Sequence, residues 1–332
     1  MSNPNLPLIV VVGPTAVGKT EISIHLAERL DGEIISADSR LFYRGMDVGT
    51  AKPSPWEMAR LPHYLIDIVD PDETLSLSVF QKMAHLAIAD IQARGKLPIL
   101  VGGTGQYIRA VTQGWLPPEV KPDLRLRNEL EKIALGHHAA NAGGVETNGD
   151  GSKAMEGNEW LYERLKSLDP QAAQKIDARN LRRTIRALEV ILTTGRKFSE
   201  QSRQAEAPYH PVTIGLNRPR AELYARIDAR IDAMFQAGLL DEVWALLAKG
   251  YSSELPSMSA IGYRESVRVI AGEWSIDEAK VAMRRATRVF VRRQANWFKE
   301  SDPAIQWFTV HSGVEKEIET HIREQIVALN GI

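Results

Sequence analysis

Leu8-Ile9-Val10-Val11-Val12-Gly13-Pro14-Thr15-Ala16-Val17-Gly18-Lys19-Thr20 decides the fold. Five apolar, mostly β-branched residues run into Gly-x-x-x-x-Gly-Lys-Thr, and Ile22, Ile24, Leu26, Ala27 and Leu30 then recur at helical spacing. Strand, loop and helix follow in that order. A loop of this kind turns its backbone N–H groups inward onto phosphate oxygens. Gly13, Thr15, Ala16, Val17 and Gly18 would form the cradle, Lys19 would add a point charge, and Thr20 would offer a hydroxyl to Mg²⁺. The plainer reading is a glycine turn with an exposed lysine. Nothing in the loop says which phosphate compound it holds.

Outward from this loop, Glu33 to Asp38 reads as a second strand ending in an acid. In open parallel sheets ligands bind beyond the carboxyl ends of the strands, so Asp38 belongs near the loop if the two strands are neighbours. There it can hold Mg²⁺ through water, cap the next turn, or act as a general base. Ser39 to Pro53 is a glycine-containing loop too long for a simple connection. Tyr64 to Val69 reads as a third strand, and Leu75 to Arg94 as a helix packing through Val79, Met83, Leu86, Ala87 and Ile91. Leu97 to Val101 suits a buried parallel strand, ending in Gly102-Gly103-Thr104-Gly105. Taken alone, Thr104 is most simply a helix N-cap.

After Trp115-Leu116-Pro117-Pro118 the pattern turns helical, with Leu124–Leu135, Trp160–Leu168 and Asn180–Leu192 and no convincing strand from Asp123 to Gln204. The intervening stretch is rich in glycine and asparagine and reads as a flexible loop over about 136–158. Its adjacent His137 and His138 lack a third metal ligand nearby. The architecture predicted is α/β: a P-loop NTPase-like core with a parallel sheet, from 1–118 and 208–332, and an inserted helical domain over 119–207.

The core resumes at Val212 to Leu216 and continues into a helix on which Arg226 and Arg230 lie four apart, either reaching a phosphate or facing solvent. On the helix Asp277 to Lys299, the residues Arg284, Arg285, Arg288, Arg292 and Lys299 share about one quadrant, with Ala282, Ala286, Val289, Phe290 and Trp297 opposite. A cationic stripe facing a polyanion competes with an ordinary solvated face. Ile305 to Val310 is an expected edge strand, followed by a closing helix.

Composition narrows the class. At 44% hydrophobic and 25% charged, the 332 residues can bury a full core, and no segment is long and apolar enough for a membrane span. There is no cysteine, which excludes disulfides, thiolate zinc sites and a cysteine nucleophile, and fits a reducing cytoplasm. With a formal net charge of −1, a nucleic-acid partner has to be argued from local clusters.

Together these residues resemble the tRNA dimethylallyltransferases, also called tRNA isopentenyltransferases. The likeness lies in Gly13 to Thr20, Asp38-Ser39 with Tyr43 to Pro53, Val101 to Gly105, Arg186 to Val190, Ile261-Gly262-Tyr263-Arg264 and Arg293 to Phe298. The resemblance implies transfer of a dimethylallyl group from dimethylallyl diphosphate to the exocyclic amine of the adenosine 3′ of the anticodon in tRNA. It makes Asp38 the general base and Thr104 the residue that orients the acceptor. Arg226, with the loop, Lys19 and Mg²⁺ at Thr20, would bind the diphosphate. Ser39, Arg125, Arg183, Arg186, Gly262, Tyr263, Arg264, Arg292, Arg293 and Gln294 would hold the anticodon arm, with the target base turned out of its stack. A monomer is expected. Two departures stand out: Leu41 replaces the family's usual glutamine, and the glycine-rich stretch is longer than usual. The rival readings are a small-molecule kinase, an adenylate isopentenyltransferase and a non-catalytic, nucleotide-gated RNA-binding module.

Overall fold

The computed structural model describes residues 7–141, 157–201, 203–204 and 209–330. These fall into two compact units, Met1–Gly114 with Glu206–Ile332, and Trp115–Ala205.

The first unit begins with β1 (Pro7–Val12), α1 (Lys19–Arg29), β2 (Gly32–Ser36), α2 (Pro55–Arg60), β3 (His63–Tyr64), α3 (Leu77–Ala93), β4 (Leu97–Gly102) and α4 (Gly105–Thr112). The second unit holds β5 (Trp115–Leu116), α5 (Leu124–Asn141), α6 (Gly157–Leu168), α7 (Pro170–Lys175), α8 (Leu181–Thr194), α9 (Phe198–Gln201) and β6 (Arg203–Gln204). The chain then completes the first unit with β7 (His210–Asn217), α10 (Arg220–Gln236), α11 (Leu239–Ala248), α12 (Tyr263–Ile270), α13 (Ile276–Ala295), β8 (Ile305–Thr309) and α14 (Val314–Asn330).

Six strands form one parallel sheet in the order β3-β2-β4-β1-β7-β8, with β8 at the edge as expected. Alternate side chains of a strand face opposite sides of a sheet. In β1, Ile9 and Val11 enter one apolar core with α1, α10 and α14, while Leu8, Val10 and Val12 enter the other with α3. All five are 0% exposed, which explains an unbroken apolar run in place of an alternating one. Burial of such side chains contributes roughly 1.5–3 kcal/mol each, an upper estimate because a denatured chain already hides part of that area.

Several expectations are corrected. The stretch expected as a strand over Tyr64–Val69 pairs only through His63 and Tyr64, with an isolated bridge from Val69 to Tyr43. Leu65 and Asp67 have φ of 62° and 55°, which extended backbone cannot accommodate. The buried face of α3 is Phe80, Ala84, Ala87, Ile88 and Ile91, whereas Val79 and Leu86 lie exposed. The expected stripe was therefore rotated by about one residue. In the second unit β5 and β6 pair antiparallel, so a short strand does occur at Arg203–Gln204. The boundary of that unit falls at Trp115. At the two ends of the stretch expected as a loop over about 136–158, α5 continues to Asn141 and α6 starts at Gly157; residues 142–156 lie outside the described residues.

The second unit packs Leu130, Ala134, Leu161, Leu165, Ile185 and Leu188 into a core of its own. Buried Asp169 caps α7 by accepting from the Ala172 N–H at 3.0 Å, and it accepts from Ser199 N–H and Oγ, both at 2.8 Å.

Candidate active site

Four neighbouring strands, β2, β4, β1 and β7, end on the same side of the sheet, so the chemistry carried just past each end is brought together. Past β1, Gly18 starts α1 with no side-chain cap, which leaves first-turn N–H groups for a ligand. Ala16 holds a left-handed φ of 64° in this loop, a local strain of the kind found at binding sites. Gly13 cannot be larger, since a Cβ there would lie 2.6 Å from the Leu216 carbonyl oxygen.

Lys19 Nζ donates to the carbonyls of Gly13 at 3.0 Å and Pro14 at 2.8 Å. Burial lowers its pKa to about 8; the Asp38 charge opposes that shift and Arg230 adds to it. The Thr20 hydroxyl is exposed and bonds no described residue.

Of three arginines beyond β7, two bond the loop directly. Arg218 Nε donates to the Val17 carbonyl at 2.8 Å and Arg226 Nε to the Ala16 carbonyl at 2.9 Å. Arg230, half-buried, reaches the Thr50 carbonyl at 3.5 Å. Burial lowers its pKa, against the attraction of Asp38. Arg226, though exposed, is thus tied to the loop. Helix geometry leaves Arg230 open between phosphate and surface, and Arg218 carries no signal in the sequence beyond its place directly after a strand end.

The exits of β2 and β4 touch, with the Ala37 N–H donating to the Val101 carbonyl at 2.7 Å. Asp38 follows the first exit and Thr104 the second. Asp38 Oδ1 accepts from the Arg40 N–H at 3.0 Å, so one oxygen caps the turn and Oδ2 makes no bond to a described residue. Thr104 occupies the N-cap position of α4, but its side chain makes no capping hydrogen bond. The simple capping role is thus not the one its hydroxyl performs, and it bonds no described residue. Ser39 is half-buried beside Asp38.

The residues expected at RNA divide by surroundings. Arg125, Arg183, Arg292 and Arg293 are exposed and have no ion-pair partner among the described residues. Arg186 instead donates to Glu189 Oε2 at 2.5 Å and to the Val120 carbonyl at 2.8 Å. Glu189 is 0% exposed; burial would raise its pKa, yet hydrogen bonds from Arg127, Arg186 and the Asp123 N–H hold it below the usual value. Tyr263 is 0% exposed and donates to Glu242 at 2.5 Å, so it is not a surface contact. Gly262, with φ of 102°, starts α12, and Arg264 pairs with Glu265 at 2.6 Å while keeping much of its side chain exposed. Gln294 is buried, accepting from the Thr15 N–H at 2.9 Å and donating to the Gly103 carbonyl at 3.2 Å.

The IPP transferase family model matches residues 41–301 of the chain. A tRNA dimethylallyltransferase from a Roseiflexus species is 50% identical over 97% of this chain and 100% of its own length. The chain belongs to the tRNA dimethylallyltransferase family. Another member, from Chloroflexus aurantiacus, is 48% identical over 92% of this chain and 96% of its own. Among solved structures, the full-length tRNA isopentenylpyrophosphate transferase from Bacillus halodurans superposes with a TM-score of 0.69 at 39% identity, covering 98% of each chain. A eukaryotic dimethylallyltransferase described as acting on tRNA gives 0.71 at 25% identity, covering 96% of this chain and 77% of that one. The chain is thus an enzyme of the prenyltransferase class with the parallel-sheet α/β fold of that family. These relatives give no support to the kinase, adenylate-prenylating or non-catalytic readings. No helix among the described residues is long and apolar enough to cross a membrane.

Proposed function

We propose that the protein transfers the dimethylallyl group of dimethylallyl diphosphate to the exocyclic amine of the adenosine 3′ of the anticodon in tRNA and releases diphosphate. The observation that carries this reading is the placement of Asp38 and Thr104 on touching strand exits beside a loop bonded by Lys19, Arg218 and Arg226, with Arg230 close to Lys19 and Asp38.

In the reaction the allylic C–O bond breaks, its electrons pass to the diphosphate, and a C–N bond forms. Charge accumulates on the leaving group. Donors already fixed before reaction stabilise it without reorganising, which is why loop N–H groups and anchored cations suit this step. Lys19 and the arginines are held by carbonyls of the loop and its surroundings and carry that charge. The Thr20 hydroxyl would hold a magnesium ion, which would supply Lewis-acid stabilisation of the charge on the leaving group; Mg²⁺ commonly takes only one or two protein ligands beside phosphate. This fits a site with an exposed hydroxyl, that of Thr20, which bonds no described residue.

At the acceptor, the adenine amine is a weak nucleophile because its lone pair is delocalised into the ring. Asp38 Oδ2 takes its proton as the C–N bond forms, while Oδ1 stays tied to the Arg40 N–H and fixes the carboxylate plane. The Thr104 hydroxyl orients the amine. Exposed Arg125, Arg183, Arg292 and Arg293 hold RNA phosphates.

The test is transfer of labelled dimethylallyl from the diphosphate into unmodified tRNA, with free AMP as an alternative acceptor and ATP hydrolysis measured in parallel. Label in tRNA that disappears with Asp38→Asn is expected. Label in AMP alone, or phosphate release from ATP without label in RNA, would overturn the reading.

A further inference from the structure

We propose that Gln294 is a positioning residue that locks the Gly13–Thr20 loop and the Thr104 turn into one arrangement. The inference rests on the transfer reaction proposed above. Gln294 is buried and both ends of its amide bond backbone groups, so it acts through Thr15 and Gly103.

Its primary amide has one acceptor and one NH₂ group, and both are used. Oε1 accepts from the Thr15 N–H at 2.9 Å and Nε2 donates to the Gly103 carbonyl at 3.2 Å. Only one orientation of the amide satisfies both partners. Gln294 is 5% exposed and Gly103 is buried, so loss of the amide would leave the Gly103 carbonyl without that partner, while the half-buried Thr15 N–H would lose its anchor.

The Thr104 turn is shaped to receive this side chain and the one a turn later. A Cβ on Gly103 would lie 2.1 Å from Gln294 Nε2, and a Cβ on Gly105 would lie 2.3 Å from Trp297 Cγ. The φ of Gly103 is outside the left-handed range, so its smallness answers to space and not to backbone conformation. Trp297 is itself fixed, since its carbonyl accepts from Arg109 Nη2 at 2.8 Å and its ring lies 5.3 Å from that guanidinium. Thr104 therefore stands between two glycines, each of which admits a side chain from the end of α13. Gln294 adds the link onward to the donor loop. Because the reaction needs the diphosphate and the amine at a set separation, a link between the elements that hold them bears directly on rate.

The experiment compares the full chain with Gln294→Met, which keeps the volume and removes both hydrogen bonds, and with Gly103→Ala, which expels the amide by a different route. Dimethylallyl diphosphate and tRNA affinities are measured separately by calorimetry, and kcat by label transfer. Gln294→Met is expected to raise the Kd for the diphosphate about tenfold and to lower kcat about tenfold or more, with tRNA Kd changed by less than about twofold. Gly103→Ala should do the same. With Gln294→Ala measured as the matching single variant, the double variant Gly103→Ala/Gln294→Ala should be no worse than Gly103→Ala, because the two act on one contact. Unchanged diphosphate affinity with weakened tRNA binding would make Gln294 an RNA contact and overturn the proposal, as would multiplicative losses in the double variant. Failure of the unaltered protein to label tRNA would refute the reaction instead, while the diphosphate affinities would still decide the role of Gln294.

Discussion

Arg288 of α13 donates to Asp228 of α10 at 2.9 Å, and its guanidinium lies 4.9 Å from the ring of Tyr224 on the same helix. Arg284 continues the ladder to Asp232 at 3.1 Å, and Lys280 reaches Asp232 at 2.9 Å. The stripe of cations is thus divided: Arg284 and Arg288 are paired with a neighbouring helix, while Arg285, Arg292 and, beyond the end of α13, Lys299 stay exposed without an ion-pair partner among the described residues. Arg288→Ala should lower stability by about 1 kcal/mol, as for a partly exposed pair, and leave tRNA affinity nearly unchanged. Arg292→Ala should weaken tRNA binding and reduce its salt dependence by about one counterion. Binding titrations at several salt concentrations, beside chemical unfolding, separate the two; a large RNA defect in Arg288→Ala would return that residue to the RNA surface.

Asp38→Asn keeps the acceptor for the Arg40 N–H and removes the base. Turnover should fall by about 10²–10⁴, the usual contribution of general-base catalysis, with tRNA affinity intact. Thr104→Ala should also lower kcat without weakening α4, because the hydroxyl makes no capping bond. A stability loss near 1 kcal/mol, typical of a removed cap, would show that the hydroxyl caps the helix after all. Single-turnover transfer and thermal unfolding of the same two variants supply the comparison.

How far the sequence could be read follows from where each signal resides. The run Leu8–Val12 and the Gly-Lys-Thr that follows carry their own structure, since apolar continuity and glycine placement are local properties. Asp38 and Thr104 could be assigned to one site because parallel strands bring their carboxyl ends together. The salt-bridged half of α13 was not legible: helical geometry says which arginines share a face, but Asp228 and Asp232 lie on another helix, and their register is set by packing. Gln294 was hidden for a related reason. It follows two exposed arginines, and nothing local distinguishes a buried amide from a third polar contact. Leu65 and Asp67 defeated the strand reading because neither residue type signals a left-handed φ.

Glu242 organises the segment Asp47-Val48-Gly49 from below. Its Oε2 accepts from the N–H groups of Asp47 at 2.9 Å and Val48 at 2.8 Å, and its Oε1 accepts from the Gly49 N–H at 3.2 Å and from the Tyr263 hydroxyl. Lys52 pins the same segment through Asp47, Asp67 and the Tyr43 carbonyl. Hydrogen bonds to a charged group contribute about 1.5–3 kcal/mol, so Tyr263→Phe should lose that order of stability while tRNA affinity holds. Glu242→Ala, which orphans all four donors, should cost clearly more. Urea unfolding and tRNA titration of both variants decide between this structural role and the RNA contact that the sequence led one to expect for Tyr263.

Lys19 gives the donor site a pH dependence of predictable sign. Its pKa is lowered to about 8 by burial, so above that pH the unliganded site holds a neutral amine. A bound diphosphate favours the ammonium and raises the pKa, and binding is then coupled to proton uptake. Affinity for dimethylallyl diphosphate should accordingly be full below pH 8 and fall as the pH rises through it, by up to about tenfold per unit until the pKa of the complex is reached. Lys19→Met should bind more weakly throughout and lose this slope, retaining only the titration of the diphosphate itself. Calorimetry in two buffers of different ionisation enthalpy measures the proton uptake directly. An uptake at pH 8.5 that is the same in Lys19→Met as in the unaltered protein would assign the titration to another group.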